Sequence, residues 1–310
     1  MRIHRLDAVP DAPEGRAVAM GTFDGVHRGH RRVIESARDW AREHGTRASV
    51  VTFDPHPLQI LRPDEPTKLL TTTDVKAKLI EQLGMDEMIV IPFTHELSMV
   101  EPDAFCRDVL IGRLGARRVS VGANFRFGHG AAGDADYLRG RPEFETEVIP
   151  LIENAGQTVS SSRIRDLVSA GAVADAAELL GAPFTLGGTV VEGAGRGSGL
   201  DMPTANLEPA DEVVVPASGI YAARATLDDG EEVAAAVSIG VRPTFEEAGE
   251  LKVEAHLIDF EGDLYGRPLQ LAFLARLRGE ERFDSVEALV EQMQSDVEQV
   301  RRLVAGAKPA

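Results

Sequence analysis

Apolar positions in the first 182 residues form two alternating patterns: short continuous runs, and longer stretches in which they recur every three or four residues. The runs Ala17–Thr22, Ala48–Phe53, Glu87–Pro92, Arg118–Gly122 and Glu145–Pro150 predict strands buried on both faces. The periodic stretches predict amphipathic helices at Arg31–Glu43, Thr73–Leu83, Pro102–Leu114, Ser161–Ala170 and Val173–Leu180. Such alternation makes a parallel sheet with helices on both faces, an α/β fold in which ligands sit beyond the carboxyl ends of the strands. After Gly181-Ala-Pro183 the pattern shortens to β-rich runs, Phe184–Val191, Gly219–Leu227, Glu232–Ile239, Leu251–Asp259 and Leu269–Ala275. Turn signals at Asp229-Gly230 and Glu261-Gly262-Asp263 separate them, and a helical stretch, Ser285–Val304, follows. This predicts a small antiparallel barrel or sandwich with one helix against it, and divides the chain into domains at 1–182 and 183–306.

Charge and cysteine usage narrow the function classes. A formal net charge of −17 argues against nucleic-acid binding, which needs a basic face, so an anionic substrate must be held by local cations. The single cysteine, Cys106, forbids a disulfide within the chain and fits a reducing cytoplasm; within the helical pattern it reads as a small buried hydrophobe. No apolar run is long enough to span a bilayer and the first residues do not read as a signal peptide, so the expectation is a cytoplasmic protein without a membrane partner. Assembly into a homo-oligomer is left open.

The chemistry concentrates in Gly21-Thr-Phe-Asp-Gly-Val-His-Arg-Gly-His30, which joins the first of these strands to the first helix. Glycines there let the backbone approach a triphosphate, the helix N-terminus offers free N–H groups, and His27 and His30 are placed to donate to phosphoryl oxygens as charge develops. The plain alternative is a tight turn with incidental histidines. Gly21, Phe23, His27 and His30 are accordingly assigned to a triphosphate. Ser160-Ser-Ser-Arg-Ile-Arg165 adds Ser161, Ser162 and Arg165, hydroxyls and a guanidinium at a helix start that suit a polyphosphate, although a serine there also suits a simple cap. Asp54, in Thr52-Phe-Asp-Pro-His-Pro57, and Asn124, in Gly122-Ala-Asn-Phe-Arg-Phe-Gly128, fall at strand ends where a ligand edge would lie. Phe125 and Phe127 suit either a planar ring or the core.

Taken in order, these motifs resemble the bacterial bifunctional riboflavin kinase/FAD synthetase family. In the second half, Gly193-Ala-Gly-Arg-Gly197, Pro203-Thr-Ala-Asn-Leu207, Ser238-Ile-Gly-Val-Arg-Pro-Thr-Phe245, Glu254-Ala-His-Leu-Ile-Asp-Phe260 and Leu277-Arg-Gly-Glu-Glu-Arg-Phe283 are similar to the riboflavin kinase module. The resemblance covers nearly the whole chain. It implies an N-terminal Rossmann-like nucleotidyltransferase sheet and a C-terminal riboflavin kinase-type β-barrel with a C-terminal helix. It implies phosphorylation of riboflavin to FMN, then adenylylation of FMN to FAD with release of pyrophosphate, ATP serving both steps. His27 and His30 would be catalytic in the second, with Asp54 and Asn124 on the flavin nucleotide; relatives often carry Asp at the position of Asn124. In the first, Gly193, Gly195, Arg196 and Gly197 would cover ATP, Thr204 and Asn206 would bind ATP and Mg²⁺, and Glu254 would be the general base. Taken alone, residues 203–206 also suit a turn and Glu254 an exposed strand position. Ser198 and Asp201-Met202 depart from the family pattern, Asp201 bringing a negative charge near the phosphates. The competing readings keep a nucleotidyltransferase and make the barrel a weakly catalytic flavin-binding or regulatory module, or change the acceptor to another phosphate ester.

Overall fold

The structure, a computed structural model, describes residues 1–65, 67–192, 203–242 and 250–307. By internal contact the chain forms two compact units: residues 1–67 with 73–161, and residues 68–72 with 162–310. This contact division differs from the expected domain boundary at 182/183.

The first unit is built on a six-stranded sheet of β1 (Arg2–Arg5), β2 (Arg16–Met20), β3 (Arg47–Phe53), β4 (Glu87–Ile91), β5 (Ala116–Gly122) and β6 (Glu145–Ile149). Their order is β1-β4-β3-β2-β5-β6, and every neighbouring pair is parallel. Side chains alternate across the sheet, so Ala17, Ala19 and Val50 face one core while Val18, Met20 and Val51 face the other. The first core is closed by α1 (Arg28–His44), through Val33, Ile34, Ala37 and Ala41, and by α2 (Thr73–Gln82), through Ala77 and Ile80. The second is closed by Phe105, Cys106 and Leu110 from a helical segment whose residues 105–113 adopt the wider π spacing. Chain order runs outward from β2 through β3 to β4, then reverses to β5 and β6. The reversal lies between β2 and β5, and in an open parallel sheet that is where the strand ends leave a ligand crevice.

In the second unit, β7 (Phe184–Val191), β8 (Ala205–Pro209), β9 (Gly219–Thr226), β10 (Glu232–Arg242), β11 (Glu250–Leu257) and β12 (Pro268–Arg278) close into a barrel in the order β7-β8-β11-β10-β9-β12. Every pair is antiparallel. Closure removes exposed strand edges, and Phe184, Leu186, Tyr221, Val237, Val253, Leu271 and Phe273 are buried. The helices α3 (Ser161–Ser169), whose residues from 162 on belong to this unit, and α4 (Val173–Leu180) precede β7, and α5 (Val286–Gly306) comes after β12, docking Val300 near Ala222 and Ile258. Arg278 of β12 ties α5 down by an ion pair to buried Asp296 at 2.8 Å. Residues 68–72 join this unit: the Leu69 amide donates to the Glu212 carbonyl and the Val214 amide to that of Leu69.

Candidate functional site

The β2–α1 loop occupies the crevice side of the switch point and is held in a tense conformation. Phe23 and Val26 have φ of 50° and 42°, values that a bulky or β-branched residue reaches only under constraint. Both side chains are buried in the core shared with α1, which supplies the constraint. Strain of about 1–3 kcal/mol per residue is typical where a loop is shaped for a ligand. A side chain at Gly21 would meet the Phe23 ring at 3.1 Å, and one at Gly29 would meet the His27 ring at the same distance, so either would press its neighbouring ring to shift by a few tenths of an ångström. The Thr52 hydroxyl, from the end of β3, donates to the Thr22 carbonyl at 3.0 Å and pins the loop to the sheet.

His27 caps α1. Its Nδ1 accepts the His30 amide at 3.3 Å. An imidazole that accepts at Nδ1 is neutral and carries its proton on Nε2, so His27 presents an N–H donor. The two imidazoles stack with centroids 3.5 Å apart, and the Phe23 ring meets His30 edge-on at 5.3 Å. Burial pushes His27 down to about 4. Burial also pushes His30 well below the usual imidazole range, helped by the like charges of His27 and Lys76. The pair is uncharged at neutral pH. His30 Nδ1 is buried with no hydrogen-bond partner among the described residues.

Ser161 donates to the Asp24 carbonyl at 2.9 Å, tying the start of α3 to the loop. Asp54 follows β3, exposed, its amide bonded to the Ile91 carbonyl. Asn124 is exposed after β5, on the other side of the switch point, with its Oδ1 folded back toward Gly122. Ser162 and Arg165 lie further along α3, within the second compact unit, where Arg165 Nη1 reaches Ser162 Oγ at 3.5 Å. Phe127 is buried in the second core, and Phe125 stacks on it at 5.7 Å and packs against that core.

One residue that the motifs left unmarked lies against this loop. Lys76 of α2 is 5% exposed, and its ammonium donates to Thr52 Oγ1 at 3.4 Å. Burial pushes this ammonium below the usual lysine range, against the opposing pull of Asp24 and Asp54.

In the barrel, backbone register sets the polar residues side by side. Glu254 on β11 lies directly opposite Asn206 on β8 and Ser238 on β10, so the three share one face of the wall. Their neighbours Leu207, Val237, Val253 and Ala255 fill the barrel interior. Asn206 Oδ1 is buried without a hydrogen-bond partner among the described residues. Two residues beyond Glu254, the His256 ring meets the Pro203 carbonyl at 2.9 Å and fastens the Pro203-Thr204 approach to β8. The expected ATP loop residues Gly193, Gly195, Arg196 and Gly197, with Ser198 and Asp201, lie outside the described residues.

A family model described as FAD synthetase matches residues 9–163, and one described as riboflavin kinase matches residues 180–304. A Listeria monocytogenes bifunctional riboflavin kinase/FMN adenylyltransferase is 34% identical, the match covering 94% of this chain and 93% of that protein. The chain belongs to the bifunctional riboflavin kinase/FMN adenylyltransferase family. Two further members, from Escherichia coli K12 and Bacillus subtilis, are each 33% identical, covering 99% and 92% of this chain and 98% and 91% of their own. A solved structure described as a macrolide-efflux protein from Streptococcus pneumoniae superposes with a TM-score of 0.87 at 28% identity, covering 97% of this chain and 99% of that one. Its fold is that of this family member. Among the described residues no helix is long and apolar enough to cross a membrane.

Proposed function

We propose that this chain makes FAD in two ATP-dependent steps, phosphorylating riboflavin to FMN on the barrel and adenylylating FMN at the histidine loop, and that it does so in the cytoplasm. The first domain is taken as residues 1–182 and the second as 183–306, by activity. The observation that carries the adenylyl-transfer reading is the neutral, stacked His27–His30 pair at the head of α1, on a strained loop at the sheet's switch point. FMN brings its own anionic nucleophile, so the site needs no strong base; it needs donors where charge accumulates. An oxygen of the FMN phosphate forms a bond to the α-phosphorus of ATP while the bond to the bridging oxygen breaks, and pyrophosphate leaves with that electron pair. The Nε2–H of His27 and the free amides of the first turn of α1 stabilise the phosphoryl oxygens, with His30, Gly21, Phe23 and Ser161 shaping the ATP cradle. Asp54 and Asn124 hold the flavin nucleotide from the neighbouring strand ends.

In the barrel, Glu254 takes the proton of the ribityl primary hydroxyl as that oxygen bonds to the γ-phosphorus and ADP departs. Thr204 and Asn206 would supply the oxygens for Mg²⁺, and the orphaned Asn206 Oδ1 beside Glu254 fits that hard cation. Bound there with the nucleotide, Mg²⁺ would draw charge off the phosphate oxygens. A barrel that merely senses flavin has no use for a carboxylate and an orphaned amide oxygen set in register. The test is separation of function: the double variant His27→Ala/His30→Ala loses FAD formation and keeps FMN formation, while Glu254→Ala does the reverse. Native rates of FAD formation in the first, or of riboflavin phosphorylation in the second, would remove those residues from the mechanism.

A further inference from the structure

We propose that Lys76 is a catalytic cation of the adenylyl-transfer site, its ammonium taking a phosphoryl oxygen during attack on the α-phosphorus. The inference rests on the FAD-forming reading above. Adenylyl transfer gathers negative charge on the α-phosphoryl group and on departing pyrophosphate, and a buried cation is worth more there than a surface one. The two histidines that mark the site are neutral. Arg31, next to them, already directs its Nε to the Val26 carbonyl at 3.2 Å. Lys76 therefore brings a formal positive charge to the loop from a different element.

Its setting is that of a group waiting for an anion. An ammonium has three donors, and the single hydrogen bond that Lys76 makes among the described residues uses one, on Thr52. Thr52 in turn holds the Thr22 carbonyl, so the ammonium stands two hydrogen bonds from the phosphate-loop backbone. Its charge is felt at His30. Asp24, from the loop, and Asp54, after β3, attract it, yet no carboxylate among the described residues comes within ion-pair distance of it. Burying a cation 5% exposed without a direct counter-ion is unfavourable, and a fold keeps such a group where a ligand completes it. The competing explanation is that Lys76 only balances Asp24 and Asp54 from a distance and shapes their loops.

The full-length protein tests this with Lys76→Met, which keeps the aliphatic stem, and Lys76→Arg, which keeps the charge. FAD formation from FMN and ATP is measured beside riboflavin phosphorylation, and Trp40 fluorescence follows unfolding of the first unit. Lys76→Met is expected to lower FAD formation by about 100-fold or more with FMN formation intact. A loss confined to kcat assigns the ammonium to the α-phosphoryl group; a rise in KM for FMN assigns it to the acceptor phosphate. FAD formation within about threefold of native in a folded Lys76→Met protein overturns the proposal. Should Lys76→Met unfold the first unit, the alkaline limb of kcat decides. Native activity falls as the ammonium, facing Asp24, Asp54 and His30, loses its proton, and Lys76→Arg moves that limb to higher pH. An unmoved limb overturns the proposal as well, because a loop-shaping lysine has no reason to set it.

Discussion

Mild acid should destabilise the first unit through its two buried imidazoles, and the share of one of them, His27, can be separated. Its ring is 6% exposed, stacked on His30, and held neutral with a proton-binding position near 4. In the unfolded chain the same imidazole titrates near 6.5, roughly the ordinary value. The sign follows directly. Above that pH neither state is protonated; below it the unfolded chain binds a proton that the folded chain refuses, so stability falls until the folded ring also titrates. Linkage puts the loss at about 2 kcal/mol by pH 5 and about 3 kcal/mol by pH 4. The comparison is native protein against His27→Asn, because the asparagine oxygen can still accept the His30 amide as an N-cap while nothing at that position titrates. Trp40, the chain's one tryptophan, lies in the α1 that His27 caps and packs against the core beneath it, so its fluorescence reports this unit separately from the barrel. It also stacks on His44 at 3.9 Å, which alters emission amplitude with pH but leaves the urea midpoint as the measured quantity. Native protein should lose about 2 kcal/mol more than His27→Asn between pH 7 and pH 5. Equal losses in the two proteins would refute the buried neutral imidazole and, with it, the donor role assigned to Nε2.

Two other perturbations probe the supports of the sites. Arg16, 1% exposed, bonds Glu87 at 2.6 Å, and Ser49 bonds the same carboxylate at 2.7 Å; Arg16→Met leaves that buried charge to Ser49 and a 3.5 Å ion pair with Arg47 and should destabilise the first unit by about 3 kcal/mol by Trp40 urea titration, with Arg16→Met/Glu87→Leu recovering much of the loss. In the barrel, Asn206→Ala should raise the Mg²⁺ concentration for half-maximal FMN formation by roughly tenfold to a hundredfold while FAD formation from supplied FMN is unchanged; an unaltered Mg²⁺ requirement would free Asn206 from the metal.

Much of the fold is legible because burial on two faces writes an unmistakable pattern. The five predicted strands of the sheet and five of the predicted helices recur within a few residues, since nothing in their surroundings competes with the pattern. The exceptions have physical reasons. β1, Arg2-Ile-His-Arg5, is an edge strand with Ile3 half exposed, and one-sided burial leaves no apolar run. β8 hides in Pro203-Thr-Ala-Asn-Leu207, where turn-forming residues sit in a strand because the barrel pairs them with Val253–Ala255. The stretch predicted as one helix at 102–114 continues as wider π turns over residues 105–113, a difference that side-chain identity at that spacing does not encode. The choice between barrel and sandwich depends on whether β7 meets β12, a non-local pairing that no local pattern records.

The site shows the same division between what is local and what is not. His27 and His30 are visible because a short glycine-bounded stretch carries strand end, loop and helix start together. Lys76 is invisible to motif reading, being a lone lysine in an ordinary amphipathic helix. Yet it falls on the stripe of Ile80 and Leu83, three positions spaced four and three residues apart that a helix turns to one side, and both of those are buried. A lysine in register with an apolar stripe either snorkels to water or is buried for a purpose, and only the tertiary structure distinguishes the two. Here the stem leads inward to Thr52 at the carboxyl end of β3, beside the loop that follows β2. Because β2 and β3 are parallel, their carboxyl ends open on the same edge of the sheet. A helix packed behind that edge can therefore deliver a charge to the histidine loop without contributing to its sequence.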